Sequence, residues 1–390
     1  MKPFSTLVLF QILYAAVSAE VQDGQTGVVI MLPPQPTDTG LKQIPDADHP
    51  FIAPGPDDQR GRDMPCVSSR PINITILTMT IAAMNTLANH GYIPRNGIVS
   101  FEEAILGTME GLNMDISIVG PLAANALLMR GNPFINKFSI GGMSPLVPPL
   151  PGKIDGPEVG GIAKHGRFEG DASMTRSDAF IGDNRDFQDI LYDMDLLQLG
   201  KFGDNGPDGN NTVFNVATMI GVMQHNTIMY QATDPEFTFS ASRVTGASGA
   251  AAFLLDVFAN GTTKQSTLPI IGSFLRNQTF PTNWFRAGTP VTGAVLGPHV
   301  AAIEAALPFS PGRNNAQGVY VADPLPPAPF NSSLGCRSYW EQAANTPAVL
   351  QNTTGIFKQN VDFLLQMQFT AVQGNPACDK QLLPFGPAGV

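Results

Sequence analysis

The chain has 390 residues, of which 43% are hydrophobic and 14% charged, and it contains 39 glycines and 34 prolines. This apolar share supports a sizeable core and excludes wholesale disorder, while the glycine and proline content predicts many long loops. A formal net charge of −10, from 22 basic and 32 acidic residues, supplies no basic field for phosphates and argues against nucleic acid as a partner.

The N-terminus has the pattern of a secretory signal peptide. Lys2 precedes an apolar run from Phe4 to Val17, and Val17 and Ala19 occupy the −3 and −1 positions of a signal-peptidase site. We therefore expect residues 1–19 to be removed and the mature protein to be secreted. The run is too short to span a membrane, and no later segment predicts a span. Six Asn-x-Ser/Thr sequons fit this route: Asn73, Asn210, Asn260, Asn277, Asn331 and Asn352.

The next segment differs in composition from the rest of the chain. Residues 20–62 are polar and rich in proline and glycine, which predicts an extended arm over the surface. Residues 63–390 are expected to form one domain. Its first clear helix follows Ser100, which makes a capping-box pattern with Glu103 ahead of apolar residues at helical spacing.

Apolar spacing predicts further helices. Asn184 can cap a helix that ends at Gly200. The apolar stripe of that helix comprises Phe187, Ile190, Leu191, Met194 and Leu197. Apolar positions from Val213 to Met223 predict another helix, and those from Val361 to Leu365 predict a late one. Apart from a short stretch at Gly318–Ala322, no alternating run of strand type competes, so we predict one predominantly α domain with long loops.

The cysteine count is odd. Cys66, Cys336 and Cys378 are the three cysteines of the chain. In an oxidising compartment they predict one disulfide and one leftover thiol, and the count alone does not say which cysteine is left over.

Two segments carry a family resemblance. Pro65-Cys66 is followed, after an interruption, by the run MNTLANHGYIPRNG at residues 84–97, and residues 169–176 are EGDASMTR. These segments resemble the fungal haem-thiolate peroxidases, the family of chloroperoxidase and the unspecific peroxygenases, and the Glu-Gly-Asp form resembles its long branch. The resemblance implies a mainly α fold: a single haem-thiolate peroxidase domain of about ten helices with long loops rich in proline and glycine.

The resemblance gives the leftover cysteine a role. In this family a cysteine thiolate is the axial ligand of haem b iron, and its electron donation favours cleavage of the O–O bond of hydrogen peroxide. Cys66 is the residue in that position, and a pair similar to Cys336 and Cys378 is disulfide-bonded in the long branch. The alternative is a disulfide that includes Cys66, with one of the other cysteines as a buried thiol.

The acidic segment implies a magnesium site that also touches a haem propionate. By resemblance, its ligands are the Glu169 carboxylate, the Gly170 carbonyl and the Ser173 hydroxyl. Hard oxygen donors are the ligands that Mg²⁺ prefers. On spacing alone, such a cluster is more typical of a capped loop. Asp171 is expected to orient the loop rather than to bind the metal.

The distal side of the expected site departs from the family. The long branch places an arginine and, seven residues later, a glutamate above the haem; the glutamate moves the peroxide proton and the arginine stabilises developing charge. Here the arginine is Arg243 and the pocket phenylalanine is Phe253, but the glutamate position is Ala250. Because these positions match without a gap, no shift of register restores the acid.

Three consequences of the missing glutamate stay open. The protein is a weakened peroxygenase, or Ser248 with water acts as a poor relay, or a carboxylate-bearing substrate held by Arg243 supplies the base. General acid–base catalysis contributes about 10²–10⁴-fold, so its loss predicts slow rather than absent reaction with peroxide.

Three side chains are expected to line the substrate channel: Phe168, Phe253 and Met114. Methionine is flexible and oxidisable, so the channel should be soft and sensitive to peroxide. The ordinary alternative for Met114 and Phe253 is a place in the core. His90 and His165 lie in family-matching segments and are expected to be hydrogen-bonded loop anchors rather than haem ligands.

An interruption follows the expected haem ligand. Met84 stands eighteen residues after Cys66, fifteen more than in the family, and the extra residues lie within residues 67–82. One interpretation is an intron retained in the gene prediction; the other is a genuine insertion that loops out or adds a helical turn. In the family the cysteine lies near a helix N-terminus, where the dipole stabilises a thiolate, so an insertion here would displace that helix start.

Together these observations predict a secreted haem-thiolate peroxygenase or peroxidase. Its expected partners are hydrogen peroxide and small apolar or aromatic organic molecules, with haem b and Mg²⁺ as cofactors. The alternatives are a haem-binding protein with little catalysis and, for the literal sequence, a haem-free misfolded product.

Overall fold

The computed structural model describes residues 27–60, 78–150, 161–166, 168, 170–184, 186–372 and 378. Within them the fold is mainly helical, as the sequence predicts. The ten α-helices of these residues are α1 Thr78–His90, α2 Phe101–Leu112, α3 Ile116–Arg130, α4 Asp189–Phe202, α5 Val216–Thr233, α6 Ala241–Asp256, α7 Leu268–Leu275, α8 Gly293–Ala306, α9 Leu334–Ala344 and α10 Gly355–Phe369.

Eight short strands complete the described part of the chain. They are β1 Ile98–Val99, β2 Phe138–Ser139, β3 Asp204–Gly206, β4 Gly209–Phe214, β5 Thr238–Phe239, β6 Ser266–Thr267, β7 Gly312–Asn314 and β8 Tyr320–Ala322. They form three antiparallel sheets in the orders β1-β2, β3-β4-β6 and β5-β7-β8. The sheets tie loops together, whereas the main core lies between helices, with α6 packed on α8 and α9, and α3 packed on α2 and α10.

The start of α2 confirms the capping-box prediction. The Glu103 backbone N–H donates to Ser100 Oγ at 3.1 Å, and the Ser100 N–H donates to Glu103 Oε2 at 2.7 Å. Two backbone donors that a helix start leaves without helical partners are thereby satisfied. The late helix is also confirmed, since Val361, Leu364 and Leu365 are buried in α10.

The prediction for α4 is wrong at its start, its buried face and its end. The helix begins after Gln188, not after Asn184, and it runs through Gly200 to Phe202. Ile190 and Leu197 of the expected apolar stripe are 67% and 70% exposed. The helix instead buries Tyr192, Asp195 and Leu199. Packing against α5 sets this face, and one glycine costs a helix only about 1 kcal/mol, which packing overrides.

A hairpin was also missed. β3 and β4 pair on either side of Pro207-Asp208, and Val213 lies in β4 rather than in α5. Pro207, Asp208 and Gly209 are typical of a turn. The flanking strands carry few apolar residues and show no apolar–polar alternation, so the hairpin is not predicted. The predicted stretch at Gly318–Ala322 does contain a strand, β8.

The described part of the N-terminal arm, residues 27–60, contains no helix and no named strand. It is held to the body by backbone bonds, from Ile44 N–H to the Trp284 carbonyl and from Arg286 N–H to the Lys42 carbonyl, both at 3.0 Å. The buried Arg286 guanidinium also donates to the Asp38 and Gly40 carbonyls. The arm is therefore an integral part of the packed structure.

At the other end of the chain, Cys336 and Cys378 form a disulfide, as the resemblance implies. Both cysteines are buried in a small cluster with Phe330, Tyr339 and Val372. No helix in the described residues is long and apolar enough to cross a membrane.

Candidate active site

An apolar pocket opens where α1, α2, α3 and α6 meet. Alanines from α1, α2 and α3 form part of its wall: Ala83, Ala104, Ala123 and Ala126. Among the lining residues that the structure describes, Thr108 has the one polar side chain, and its hydroxyl donates to the Ala104 carbonyl at 2.7 Å. The described wall of the pocket is therefore almost wholly apolar, as is typical of sites for small apolar molecules.

The three expected channel residues lie around this pocket. Met114, Phe168 and Phe253 all line it, although they come from distant parts of the chain. The residue before Met114 is Asn113, which ends α2 in the left-handed conformation at φ 52°. The Asn113 amide donates to the Thr39 and Ala287 carbonyls, both at 2.7 Å. The arm therefore helps to place a pocket side chain, a contact that sequence reasoning missed.

Helix α6 places Arg243, Ala250 and Phe253 near one another. Arg243 and Ala250 are buried, with 8% and 5% of their surfaces exposed, and Phe253 reaches the pocket. Beside them, a Cβ added to Gly246 or Gly249 would meet nothing in the described structure within 4 Å. Because these glycines are one turn apart, α6 presents a flat face there, exposed at Gly246 and half-buried at Gly249.

The Arg243 side chain contacts a loop. Its Nη1 donates to the Phe168 carbonyl at 3.0 Å, and its Nη2 donates to the Gly166 carbonyl. A Cβ on Gly170 would lie 2.2 Å from Arg243 Nε, so only glycine fits under the guanidinium. Arg243 therefore fastens α6 to the loop that contains the expected metal ligands.

Two of the three expected magnesium ligands are described. Gly170 lies under Arg243, and the buried Ser173 accepts a hydrogen bond at Oγ from the Thr175 N–H at 3.3 Å. Glu169 lies outside the described residues. Between the two described ligands Ala172 adopts φ 69°, a left-handed conformation that side chains other than glycine rarely take. The loop is thus held in a specific, strained shape.

Three buried carboxylates gather behind this loop. Ligand atoms of Asp171, Asp178 and Asp234 lie within 4.8 Å of one another. Asp171 accepts from the Thr238 N–H at 2.7 Å, which fits its expected role in orienting the loop. Asp178 accepts from the Ala172 N–H at 2.8 Å. The sequence gives no sign of this cluster because its members meet only through the tertiary fold.

The expected haem ligand, Cys66, lies outside the described residues. Helix α1 begins at Thr78, twelve residues after Cys66, and therefore includes the last five residues of the 67–82 interruption. In the literal sequence, the described helix does not start at the cysteine.

The histidines of the family-matching segments lie away from the pocket wall. His90 Nδ1 and Nε2 pair with the His49 carbonyl and the Thr279 hydroxyl, both at 2.9 Å, and burial lowers the pKa of His90. His165 Nε2 lies 3.7 Å from Asp171 Oδ1. No histidine is among the pocket-lining residues that the structure describes. Both histidines therefore contact loops, and His90 is an anchor of the kind expected.

The sequence was compared with protein families and with known proteins. Residues 82–289 match the family described as peroxidase, family 2, so that the match begins sixteen residues after Cys66. An aromatic peroxygenase of Cyclocybe aegerita is 32% identical over 365 residues, which cover 91% of this chain and 87% of that protein.

Other relatives are similar over shorter stretches. An aromatic peroxygenase of Coprinellus radians is 32% identical over 233 residues, covering 59% of this chain and 78% of that protein. The aromatic peroxidase fscJ of Fusarium equiseti is 31% identical over 201 residues, 49% of this chain and 39% of that protein.

Proposed function

Because the chain belongs to peroxidase family 2, as its match and its relatives show, we propose that it is a secreted haem-thiolate peroxygenase. It uses hydrogen peroxide to oxygenate small apolar or aromatic molecules. The observation that carries this proposal is the convergence of Met114, Phe168 and Phe253 on one apolar pocket beside α6. Such a pocket excludes water and binds apolar substrates by burying their surface.

The residues around the pocket fit a haem. The flat face of α6 at Gly246 and Gly249 leaves room for the plane of a macrocycle, and the pocket wall is apolar. Cys66 would be the axial ligand. A haem b with a thiolate ligand supplies cleavage of the peroxide O–O bond and transfer of oxygen to a C–H bond.

The loop under Arg243 fits a magnesium ion. The Gly170 carbonyl and the Ser173 hydroxyl are hard oxygen donors, and Glu169 would add a carboxylate. Arg243 fixes this loop against α6 through the Phe168 and Gly166 carbonyls. A metal here would therefore be coupled to the same helix that forms the pocket wall.

Proton transfer is the weak part of this site. Arg243 supplies positive charge for the developing negative charge on peroxide, but the nearby Ala250 has no group that accepts or returns a proton. We therefore propose slow activity. The second candidate is a haem-binding protein with little or no peroxygenase activity, and the buried Ala250 methyl group is the observation that favours it.

A substrate carboxylate is a further source of the missing base. A Cβ added to Gly246, three residues after Arg243 in α6, would meet nothing in the described structure within 4 Å, so there is open space beside the arginine. A fatty acid whose carboxylate reaches this space would pair with the guanidinium and accept the peroxide proton. Octanoic acid should then react faster than octane; equal rates would exclude this route.

An isotope-labelling experiment tests whether oxygen from hydrogen peroxide enters the product. The haem-loaded protein is mixed with an aromatic hydrocarbon and hydrogen peroxide labelled with ¹⁸O, and the product is analysed by mass spectrometry. The proposal expects labelled oxygen in the hydroxylated product. Unlabelled product, or no product from a fully haem-loaded protein, would overturn it and leave the haem-binding alternative.

A further inference from the structure

A continuous row of aromatic rings runs from the pocket towards the surface. Phe258 lines the pocket and stacks on Phe274, with ring centroids 4.2 Å apart. Phe274 lies 5.3 Å from Trp284, and Trp284 lies 5.4 Å from Phe280. Phe280 in turn lies 5.7 Å from Tyr92. Each contact is one of direct packing between aromatic rings.

The pocket end of this row contains an oxidisable side chain. Trp284 is completely buried, and its Nε1–H donates to the carbonyl of the pocket residue Phe258 at 2.9 Å. Indole is the most easily oxidised aromatic side chain after ionised phenol. The carbonyl dipole at Nε1 also stabilises positive charge on the ring. Trp284 therefore lies one residue behind the pocket wall, in a setting that suits loss of an electron.

The outer end of the row reaches solvent through the arm. The ring of Tyr92 stacks on that of His49, with centroids 3.9 Å apart and planes 9° apart, and the His49 side chain is 28% exposed. A second branch runs from Phe280 through His90, 5.0 Å away, to Phe51, 5.6 Å further. Phe51 is 47% exposed. Each branch thus ends at a partly exposed aromatic side chain of the arm that a donor molecule can contact.

We propose that Trp284 carries electrons from donors at the exposed edges of His49 and Phe51 to the pocket. The protein would oxidise molecules too large to enter the pocket, one electron at a time. This inference rests on the proposed function, because hydrogen peroxide reduced in the pocket is the oxidant. The intervening rings of Phe280 and Tyr92 provide the packed path between Trp284 and the surface.

The reaction balances for a phenolic donor. Reduction of one hydrogen peroxide to two waters takes up two electrons and two protons. Trp284 delivers each electron to the pocket, becomes a cation radical, and is restored by one electron from a donor at the surface. Each phenol loses one electron and one proton, so two phenols and one peroxide give two phenoxyl radicals and two waters.

The chain offers a matched control for this role. Trp340, the other tryptophan of the chain, packs on Phe330 at 5.2 Å in the separate cluster around the disulfide. Trp284→Phe keeps an aromatic ring in the row but removes the indole, and Trp340→Phe makes the same change away from it. If Trp284→Phe does not fold, Phe280→Leu interrupts the row beyond the tryptophan.

The experiment uses the haem-loaded full chain and two forms of one donor. A free hydroquinone is small, whereas the same hydroquinone linked to soluble dextran is too large for the pocket. We expect the wild type and Trp340→Phe to oxidise both forms with peroxide. Trp284→Phe should lose about tenfold or more of the rate with the dextran-linked form and keep its oxygenation of a small aromatic hydrocarbon.

Electron paramagnetic resonance of samples frozen soon after peroxide addition gives an independent readout. A tryptophan radical should appear in the wild type and in Trp340→Phe and be absent from Trp284→Phe. A protein that oxygenates the small substrate without a tryptophan radical and without oxidising the dextran-linked donor overturns the relay and leaves the proposed function standing. A haem-loaded protein that consumes no peroxide overturns both.

Discussion

Arg243 and Ala250 lie seven residues apart in α6, so their side chains project from nearly the same face of the helix. Both are buried, and Phe253 follows one turn later at the pocket. The helix is described over its full length, and the position two turns after the arginine carries only a methyl group. The structure therefore has a buried cation in the helix whose Phe253 lines the apolar pocket, and Ala250 offers no acid–base side chain on the same helix face as that cation.

The first prediction restores that group. Ala250→Glu should raise the rate of reaction with hydrogen peroxide by about 10²–10⁴-fold, because a carboxylate near Arg243 would accept and return the peroxide proton. The measurement is stopped-flow mixing of the haem-loaded protein with peroxide.

Ala250→Gln is the control, since glutamine has the size and polarity of glutamate but is not a base at neutral pH. A similar gain in both variants would indicate an effect of packing rather than of proton transfer. No gain in either would mean that Ala250 does not face the bound peroxide.

The second prediction concerns the contact between Arg243 and Gly170. Arg243→Lys should lower the free energy of unfolding by about 2 kcal/mol, because a single ammonium group does not reproduce the two guanidinium donors that bind the Gly166 and Phe168 carbonyls. Gly170→Ala should have a similar effect, since its Cβ would collide with the guanidinium. Urea unfolding measures both.

The double variant provides the sharper comparison. If Gly170→Ala acts by displacing the Arg243 side chain, the two losses should be strongly non-additive when combined. Full additivity would show that the two residues act independently and that the guanidinium does not fasten the loop.

The sequence predicts those features of the site that depend on neighbouring residues, and it fails for contacts between residues far apart in the chain. The capping box of α2 is local, and its two hydrogen bonds form as the pattern indicates. Met114, Phe168 and Phe253 could be assigned to one pocket only through the family resemblance, because periodicity does not show which helices meet. The contact of Asn113 with Thr39 had no local signal at all.

The predictions for the start, buried face and end of α4 fail for the same reason. Asn184 and Gly200 are good capping and stopping residues in isolation, yet packing on α5 fixes both the helix start and its buried face. Asp195, a charged residue in the sequence, points inwards, whereas Ile190 and Leu197 are exposed. Local propensities are weak compared with the burial of a whole helix face.

The third prediction tests the disulfide. Replacing Cys336 and Cys378 together by alanine should lower the free energy of unfolding by about 4 kcal/mol, because the bond closes a loop of 42 residues and limits the unfolded chain. Alanine keeps the buried positions apolar. A loss below about 1 kcal/mol would show that the bond adds little to the cluster around Phe330.

The fourth prediction concerns the buried Asp195. Burial holds the pKa of the Asp195 carboxyl well above its ordinary value, and Asn226 Nδ2 is its hydrogen-bond donor at 3.4 Å. The folded protein therefore keeps this proton to a higher pH than the unfolded chain does. Stability should then fall as the pH rises through the folded pKa, and the contribution should be fully present only below pH 3.8.

Asp195→Asn removes this proton linkage while it keeps the side-chain shape. Compared with the wild type, the variant should gain stability as the pH is raised from acid to neutral. Asp193→Asn makes the same substitution on the exposed side of α4 and is the control for the change from carboxyl to amide. Parallel stability curves for Asp195→Asn and wild type would contradict the assignment.

The central claim of this account is that Cys66 binds haem iron as a thiolate despite the interruption that follows it. The direct measurement is the absorption spectrum of the reduced, haem-loaded protein under carbon monoxide, with Cys66→Ala as control. We predict a strongly red-shifted Soret band that is absent from Cys66→Ala. A Soret band at the position of an ordinary haem–carbon monoxide complex in the wild type, or the same spectrum in both proteins, would contradict the claim.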